Sequence, residues 1–248
     1  MPKDTITFEL ATHYLPRVAL RAERLLQTIQ EAANETHPVI HHYALNNIFE
    51  IIKLIEKPEL KSRFLKELMR IEHALNKSLN PISNTAFAKL FVQVQVLGHL
   101  AGRFGEAIHT DPFLQSIRIT QSVHNMDCEL YSPQLLLWLE NDAEQRQHHL
   151  KIWLKQLQTL TDTVSAYLLL LRETASIESI NLMNGFYQCP LPTKTSCQLI
   201  ILRMKKNTGN VPKIQMGHHG LSLRLCEATS MREIQVDNFP IELAICQI

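Results

Sequence analysis

The residue pattern changes at Asn184-Gly185-Phe186-Tyr187-Gln188, and this change divides the 248-residue chain into two kinds of sequence. Before it, apolar residues recur at helical spacing, and the longest such stretch runs from Asp142 to about Ala175 without Gly or Pro. After it, short apolar segments alternate with turn residues. The pattern therefore predicts an α+β fold in which a mainly helical part precedes an antiparallel β-sheet, because the connections between the apolar segments are short.

Helices are predicted through most of the first 176 residues. The first follows Pro16 and has an apolar stripe at Val18, Ala22, Leu25 and Ile29. Apolar spacing and capping residues predict further helices at residues 41–57, 59–79, 84–109 and 142–175, with short ones after Asp111-Pro112 and Ser132-Pro133.

Strands are predicted at both ends of the chain. Residues 5–10 alternate polar and apolar, and four C-terminal segments have strand character: residues 197–202, 221–225, 233–236 and 241–245. Residues 117–130 are ambiguous but favour a strand through Ile117, Ile119 and Val123. A lone C-terminal sheet has an edge strand that needs a partner, which the N-terminal strand can supply. We therefore predict a helical domain of residues 14–116 and 132–176, and a β-domain of residues 1–13, 117–131 and 177–248.

Composition argues against several classes of protein. The 25 Lys and Arg residues nearly balance 24 Asp and Glu residues, so the basic excess of a typical nucleic-acid-binding protein is missing. Charged residues occur already at Lys3 and Asp4, and the apolar segment of a secretory signal does not follow them. No apolar run reaches the ~18 residues of a membrane span. The five scattered cysteines form no C-x-x-C motif. We expect a cytoplasmic protein without membrane contact, whose cysteines act as small apolar residues.

No motif for catalysis or cofactor binding occurs in the sequence. It has no phosphate loop, no G-x-S-x-G and no H-E-x-x-H. His37 and His41 have a spacing that metal sites use, but Pro38 lies between them and no Asp, Glu or Cys ligand follows at a useful distance. His218 and His219 lie in a Gly-flanked turn and are expected to be exposed. We expect no catalytic residue, no metal and no cofactor, while a Cys–His pair formed only in the fold stays open.

The basic residues are more informative. Arg17, Arg21 and Arg24 recur at i, i+4 and i+7, and so form one stripe on the first helix. Two interpretations stay open: a solvated rim whose methylene groups cover the edge of the core, or a cationic groove for an acidic or extended peptide. Lys57 adds charge at the turn before Pro58, and Arg224 lies on the polar side of its predicted strand. Further cations occur at Lys61, Arg63, Arg203, Lys205, Lys206 and Lys213.

Several short blocks keep a characteristic order along the chain. They are Phe8-Glu9, Arg17 with Arg21-Ala22-Glu23, Phe64-Leu65-Lys66-Glu67-Leu68, Leu137-Trp138-Leu139, Arg146 with Trp153, Leu182-Met183-Asn184-Gly185-Phe186-Tyr187-Gln188, and Glu242-Leu243-Ala244-Ile245-Cys246. Together they resemble the bacterial cell-division proteins of the ZapD family, the Z-ring-associated proteins D. The similarity covers essentially the whole chain, and Asn-Gly-Phe-Tyr-Gln after a leucine-rich helix is its most specific part.

This resemblance implies a function. Members of the family have a helical domain and a β-domain that includes the N-terminal strand. They are cytoplasmic homodimers at the division site at mid-cell, bind the C-terminal tail of the tubulin-like GTPase FtsZ, and cross-link its protofilaments into bundles without catalysis. Two copies of one site on a symmetric dimer suffice for cross-linking, because each can hold a tail from a different filament.

The resemblance also implies a basic pocket near the junction of the two domains, to which Arg17, Arg21, Lys57 and Arg224 correspond by position. Two positions depart from the family pattern: Gly220 replaces a basic residue before the Arg224 strand, and Leu136 stands where His can occur. Lys213 is a candidate for rebuilding the lost charge. The alternative hypothesis is a nucleic-acid-binding α+β protein that uses the same arginines, and an unrecognised hydrolase ranks third.

Overall fold

The structure is a computed structural model that describes residues 4–77, 83–124, 132–191, 197–217 and 220–247. The chain forms two compact units. We call Met1–Arg17 together with Leu171–Ile248 the β unit, and Val18–Leu170 the α unit. The α+β fold class predicted from the sequence is confirmed.

The helices begin where the sequence places capping groups. Ser83 and Ser132 accept hydrogen bonds from the N–H groups of Ala86 and Leu135, and Asp111 Oδ1 accepts one from Leu114 N–H at 3.0 Å. In chain order the helices are α1 (Tyr14–Ala32), α2 (Pro38–Ile55), α3 (Glu59–Lys77), α4 (Asn84–His99), α5 (Glu106–His109), α6 (Pro112–His124), α7 (Pro133–Glu140), α8 (Ala143–Gln156) and α9 (Gln158–Glu173).

The apolar stripes of these helices form the core of the α unit. Phe64 meets Phe104 and Tyr167 edge to face, with ring centroids 6.1 and 5.6 Å apart. Ile29 of α1 and Ile52 of α2 are fully buried. Burying each such side chain contributes roughly 1.5–3 kcal/mol, so the packing of these stripes dominates the stability of the unit.

Two helices predicted as continuous are interrupted. The predicted helix at residues 84–109 ends at His99, and α5 begins only after Gly105, whose φ is +59°. The predicted helix at residues 142–175 is divided at Leu157, whose N–H donates to the carbonyls of Trp153 and Leu154 and so tightens the last turn of α8. Leu157 is fully buried, and no Gly or Pro in the sequence marks this break.

The strand interpretation of residues 117–124 is wrong, because they belong to helix α6 within the span of the α unit. Ile117 is fully buried with Leu114, three residues earlier, whereas Ile119 is exposed. That arrangement follows the helical period, while a strand would place Ile117 and Ile119 on the same face. Residues 125–131, the rest of this predicted segment, lie outside the described residues.

The β unit contains two antiparallel sheets. Its strands are β1 (Thr5–Ala11), β2 (Ser176–Leu182), β3 (Phe186–Cys189), β4 (Cys197–Lys205), β5 (Asn210–Gly217), β6 (Gly220–Glu227) and β7 (Phe239–Gln247). The first sheet has the order β1-β4-β7-β2 and the second β3-β6-β5. β1 pairs with β4, with Phe8 opposite Leu202, so the N-terminal strand joins the C-terminal sheet as predicted.

The β core is built from both sheets. Leu202 and Leu243 of the first sheet pack in one cluster with Leu223 and Leu225 of the second. The strand predicted at residues 233–236 is wrong, since the described residues show only an isolated bridge between Cys226 and Glu233. The segment passes the start of β3, where Gly185 N–H donates to the carbonyl of Val236 at 2.8 Å.

A two-residue hairpin at Asn184-Gly185 joins the two sheets. Asn184 and Gly185 have φ values of +52° and +69°, and Met183 and Phe186 exchange backbone hydrogen bonds of 3.1 and 3.0 Å. A Cβ on Gly185 would lie 2.0 Å from the carbonyl oxygen of Ile234. Position 185 therefore requires glycine for two reasons: its positive φ and the close approach of the Ile234 carbonyl. The hairpin sets the position of Phe186 on the second sheet.

Candidate functional site

Helix α1 carries its arginines on one exposed stripe, as the spacing predicts. Arg17, Arg21 and Arg24 are all exposed. Arg21 Nη2 donates to the Glu50 carboxylate of α2, and Lys53 Nζ donates to the other oxygen of that carboxylate at 2.7 Å. The hydrogen bond from Lys53, with the charge of Arg21, lowers the pKa of Glu50. Arg21 is thus one of two cations that share a single internal carboxylate.

Lys57 lies in the turn between α2 and α3 and is exposed. Nearby cations make contacts within the protein: Lys61 Nζ donates to the carbonyl of Leu100 at 2.7 Å, and Arg118 Nη2 donates to Glu56. Lys61 therefore holds the segment after α4, and the exposed Lys57 adds charge at the surface of the turn.

Arg224 lies in a row of three residues across the second sheet. Phe186 of β3 and Lys213 of β5 are its direct cross-strand partners. The Arg224 guanidinium carbon lies 4.9 Å from the centroid of the Phe186 ring, a cation–π distance. Arg224 Nη1 donates to Glu233 Oε2 at 2.9 Å, and Lys213 Nζ lies 3.5 Å from Glu233 Oε1. We call Phe186, Arg224 and Lys213 the cation row.

The structure brings some predicted residues together. Lys213 lies beside Arg224, and Arg21 lies beside Lys53, which sequence reasoning missed although its i, i+3 spacing from Glu50 is a detectable signal. The contact of Arg224 with Phe186 depends on strand register, for which the sequence has no direct signal. Arg17 and Lys57 are placed at the surface, each on its own unit.

The two departures from the family pattern have different structural settings. Gly220 has a φ of +109°, and a Cβ there would lie 2.3 Å from the carbonyl oxygen of Cys189. A basic side chain therefore does not fit at this position in this backbone. Leu136 is exposed on α7 and adds apolar surface instead of charge. His218 and His219 lie outside the described residues, so their exposure stays a prediction.

The histidines near residue 40 have structural roles. His37 caps α2, its Nδ1 accepting a hydrogen bond from Val39 N–H at 3.2 Å. His41 is fully buried, its Nδ1 accepts from Arg146 Nε at 2.9 Å, and its Nε2 donates to the carbonyl of Glu35 at 2.8 Å. Burial lowers the pKa of His41, which favours this neutral form. Among the described residues, no group of three His, Cys, Asp or Glu side chains could hold a metal ion.

Arg146 is the main hydrogen-bond donor of the buried network around His41. Besides its bond to His41, Nη1 donates to the carbonyls of Leu139 and Asn141, and Nη2 donates to the carbonyl of Thr36 at 2.8 Å. The side chain is 5% exposed, and each of its nitrogens has an acceptor. Arg146 therefore joins α8 to the segments before α2 and after α7 and is not available to a ligand.

Three of the four described cysteines are buried, which suits the expectation that they act as small apolar residues: Cys197, Cys226 and Cys246. Burial raises the pKa of Cys197 to about 11 and that of Cys246 to about 12. These two thiols are therefore protonated at neutral pH and are poor nucleophiles. Cys128 lies outside the described residues.

The geometry defines a protein with exposed arginines on a helix and on a sheet, and with no helix among its described residues that is long and apolar enough to cross a membrane. The profile of the ZapD family, described as a cell division protein, matches residues 20–224. The chain therefore belongs to the ZapD family of cell division proteins.

Curated relatives support this assignment over nearly the whole chain. It is 30% identical over 236 residues to the cell division protein ZapD of Coxiella burnetii (strain RSA 331 / Henzerling II), covering 90% of this chain and 89% of the relative. It is 26% identical over 251 residues to that of Azoarcus sp. (strain BH72), covering 98% and 100%. It is 28% identical over 250 residues to that of Ralstonia pickettii (strain 12J), covering 97% and 99%.

Proposed function

We propose that this protein binds the C-terminal tail of FtsZ through its exposed cations and, as a homodimer, cross-links FtsZ protofilaments in the cytoplasm at mid-cell. It does so without catalysis, cofactor, membrane or nucleic acid. Its membership of a cell division family supports this role in general terms. The observation that carries the proposal is the cation row, in which Arg224 lies exposed between the Phe186 ring and Lys213.

The cation row suits an extended acidic peptide. Arg224 and Lys213 offer charged donors to carboxylates, and the Phe186 ring offers an apolar surface beside them. Glu233 leaves the group of three charges with one net positive charge. Arg17, Arg21 and Lys57 add long-range attraction that steers an acidic tail toward the protein.

Cross-linking requires two sites, and helix α4 supports a second copy of this chain as the partner. Its outward face exposes Phe87 (38%), Phe91 (52%), Val92 (52%) and Val96 (39%), and Lys89 is its one residue of type Asp, Glu, Lys or Arg. A surface helix that is apolar on both faces is typical of burial against a partner. Because Phe87, Phe91, Val92 and Val96 carry no charge, they can pair with their own copies around a twofold axis without like-charge repulsion.

Co-sedimentation with polymerised FtsZ tests the proposal. We expect the protein to pellet with FtsZ filaments and bundle them, and to do neither with FtsZ that lacks its C-terminal tail. Equal bundling of the tailless filaments would rule out the tail mechanism. A gel shift with random DNA and RNA is the control for the nucleic-acid alternative, and we expect no retardation of either.

The dimer is tested with Phe91→Glu, which places a charge at the centre of the α4 face. We expect the variant to have the mass of a monomer in solution and to bind a tail peptide normally without bundling filaments. Leu137→Glu is the matched control, since Leu137 on α7 is 68% exposed. Bundling by a monomeric Phe91→Glu variant would contradict the requirement for two sites.

A further inference from the structure

A groove opens at one end of the first sheet, within the β unit. Its volume is about 320 Å³, near the lower end of the roughly 300–1,000 Å³ range of small-ligand pockets. The half-buried Phe239 and the exposed Pro240 give it apolar surface, and Arg203, Lys205 and Thr208 add polar groups. The groove thus combines two cations with an apolar surface and lies on the first sheet, whereas the cation row lies on the second.

Arg203 has no hydrogen-bond partner among the described residues, although its Nε is buried. Its nearest acid is Glu242, directly across from it on β7, but Nη1 and Glu242 Oε2 are 3.8 Å apart, too far for a hydrogen bond. Elsewhere in the β unit, Arg172 binds the Glu9 carboxylate through two bonds of 2.8 and 2.7 Å. A guanidinium carries five N–H donors, and buried donors are nearly always satisfied. The Arg203 Nε thus lacks an acceptor among the described residues, and the partly exposed guanidinium can bind a carboxylate from outside the chain.

We infer that this groove is a carboxylate-binding subsite that takes an acidic residue of an extended peptide, with a neighbouring apolar side chain of that peptide against Phe239 and Pro240. The planar guanidinium of Arg203 matches a carboxylate with two parallel donors, and Lys205 adds a second positive charge. The inference rests on the proposed function only in naming the FtsZ tail as the peptide.

Glu242 determines how strongly the groove attracts an anion. Its carboxylate lies close enough to Arg203 to offset part of the positive charge, but leaves the guanidinium donors unused. Removing this charge should strengthen carboxylate binding, whereas removing Arg203 should weaken it. Opposite effects from two facing residues would distinguish a ligand site from general damage to the sheet.

The first experiment uses N-acetyl-L-phenylalanine, which carries a carboxylate beside an aromatic ring, and its uncharged amide. Backbone amide NMR shifts should move at Arg203, Lys205 and Ile241 on titration with the acid and not with the amide. Arg203→Gln should weaken the affinity about ten-fold and Glu242→Gln should raise it. Arg103→Gln, which removes the same charge from the α unit, should have no effect. Equal shifts with the amide, or unchanged affinity in Arg203→Gln, would overturn the subsite.

The second experiment uses a synthetic FtsZ C-terminal tail peptide. It should shift the same three amides and bind Arg203→Gln about ten-fold more weakly than the wild type. A tail peptide that binds without shifting these amides would overturn the assignment of the groove to this peptide. Failure of the peptide to bind at all, while the acetylated amino acid still binds, would count against the proposed function and not against the groove.

Discussion

Arg146 in the α unit and Arg203 in the β unit are both arginines, but they differ in how many of their N–H donors have an acceptor. Arg146 is buried, and each of its nitrogens donates to a carbonyl or to His41. Arg203 has a buried Nε and no hydrogen bond among the described residues. A guanidinium whose donors are all used within the chain stabilises the fold, whereas an unmatched one leaves interaction energy for a ligand.

Arg224 is intermediate between these two. It is exposed, donates one hydrogen bond to Glu233 and packs on Phe186. Exposed ion pairs of this kind contribute about 0–1 kcal/mol, so an incoming carboxylate can replace Glu233 at little cost. Substitution of Arg146 should therefore affect mainly stability, whereas substitution of Arg203, or of Arg224 and its partner Glu233, should affect mainly ligand binding.

The largest effect is expected from removing Arg146. Arg146→Met leaves His41 and several carbonyls without their buried donor, and should lower the free energy of unfolding by about 3 kcal/mol. Arg203→Met is the matched variant and should change stability by less than about 0.5 kcal/mol, because it breaks no hydrogen bond. Urea unfolding measures both. Equal losses in the two variants would remove the distinction between the two arginines.

The next effect concerns the hairpin that places Phe186 under Arg224. Gly185→Ala should lower the free energy of unfolding by about 2–3 kcal/mol, because a Cβ meets the Ile234 carbonyl and the φ of +69° is unfavourable. Gly209→Ala is the control, since Gly209 has a φ of +67° with nothing within 4 Å of its added Cβ. Its loss should stay near 1 kcal/mol. A similar loss in both variants would show that the close approach to Ile234 is unimportant.

A smaller effect is expected from pH. Burial lowers the pKa of His41 in the folded protein below its ordinary value of 6.5, so the unfolded chain binds more protons between the two pKa values. Stability from neutral His41 is therefore fully present above pH 6.5 and is lost as the pH falls through the folded pKa. Urea unfolding from pH 7.5 to 5 should show this decline in the wild type and a smaller one in His41→Gln. The same slope in both would assign the decline to other groups.

The smallest effect should come from Glu233, the carboxylate that pairs with Arg224 and Lys213 of the cation row. Glu233→Gln releases Arg224 and Lys213 and should raise affinity for the tail peptide about two- to five-fold, in line with the modest value of an exposed ion pair. Glu106→Gln, which breaks the exposed pair with Arg103 on the α unit, is the control and should leave affinity unchanged. Weaker binding by Glu233→Gln would mean that Glu233 supports the site instead of competing with the ligand. Isothermal titration calorimetry measures the affinity of each variant for the peptide.

Much of the fold could be predicted from local signals. Asp111 and Ser132 cap helices where expected, and alternation in residues 5–10 predicted the strand that pairs with β4. The break at Leu157 could not be predicted, because no Gly or Pro marks it in the sequence. The strand interpretation of residues 117–124 failed because three apolar residues fit a period of two while packing followed the helical period.

The candidate site could be predicted only in part. The spacing of Arg17, Arg21 and Arg24 shows a shared helix face directly. The unmatched Arg203 had no distinguishing signal, because it depends on a 3.8 Å separation from Glu242 across a strand pair. Partners that meet through strand register, such as Phe186 and Arg224, require the folded sheet before they can be named.

The most direct test of the central claim is the salt dependence of binding between a synthetic FtsZ C-terminal tail peptide and the wild-type protein, compared with Arg203→Gln and Arg224→Glu. We expect wild-type affinity to fall as salt rises, since exposed charges are screened. We also expect both variants to bind more weakly than the wild type at low salt. Affinity that is independent of salt and unchanged in both variants would contradict recognition of the tail by these arginines.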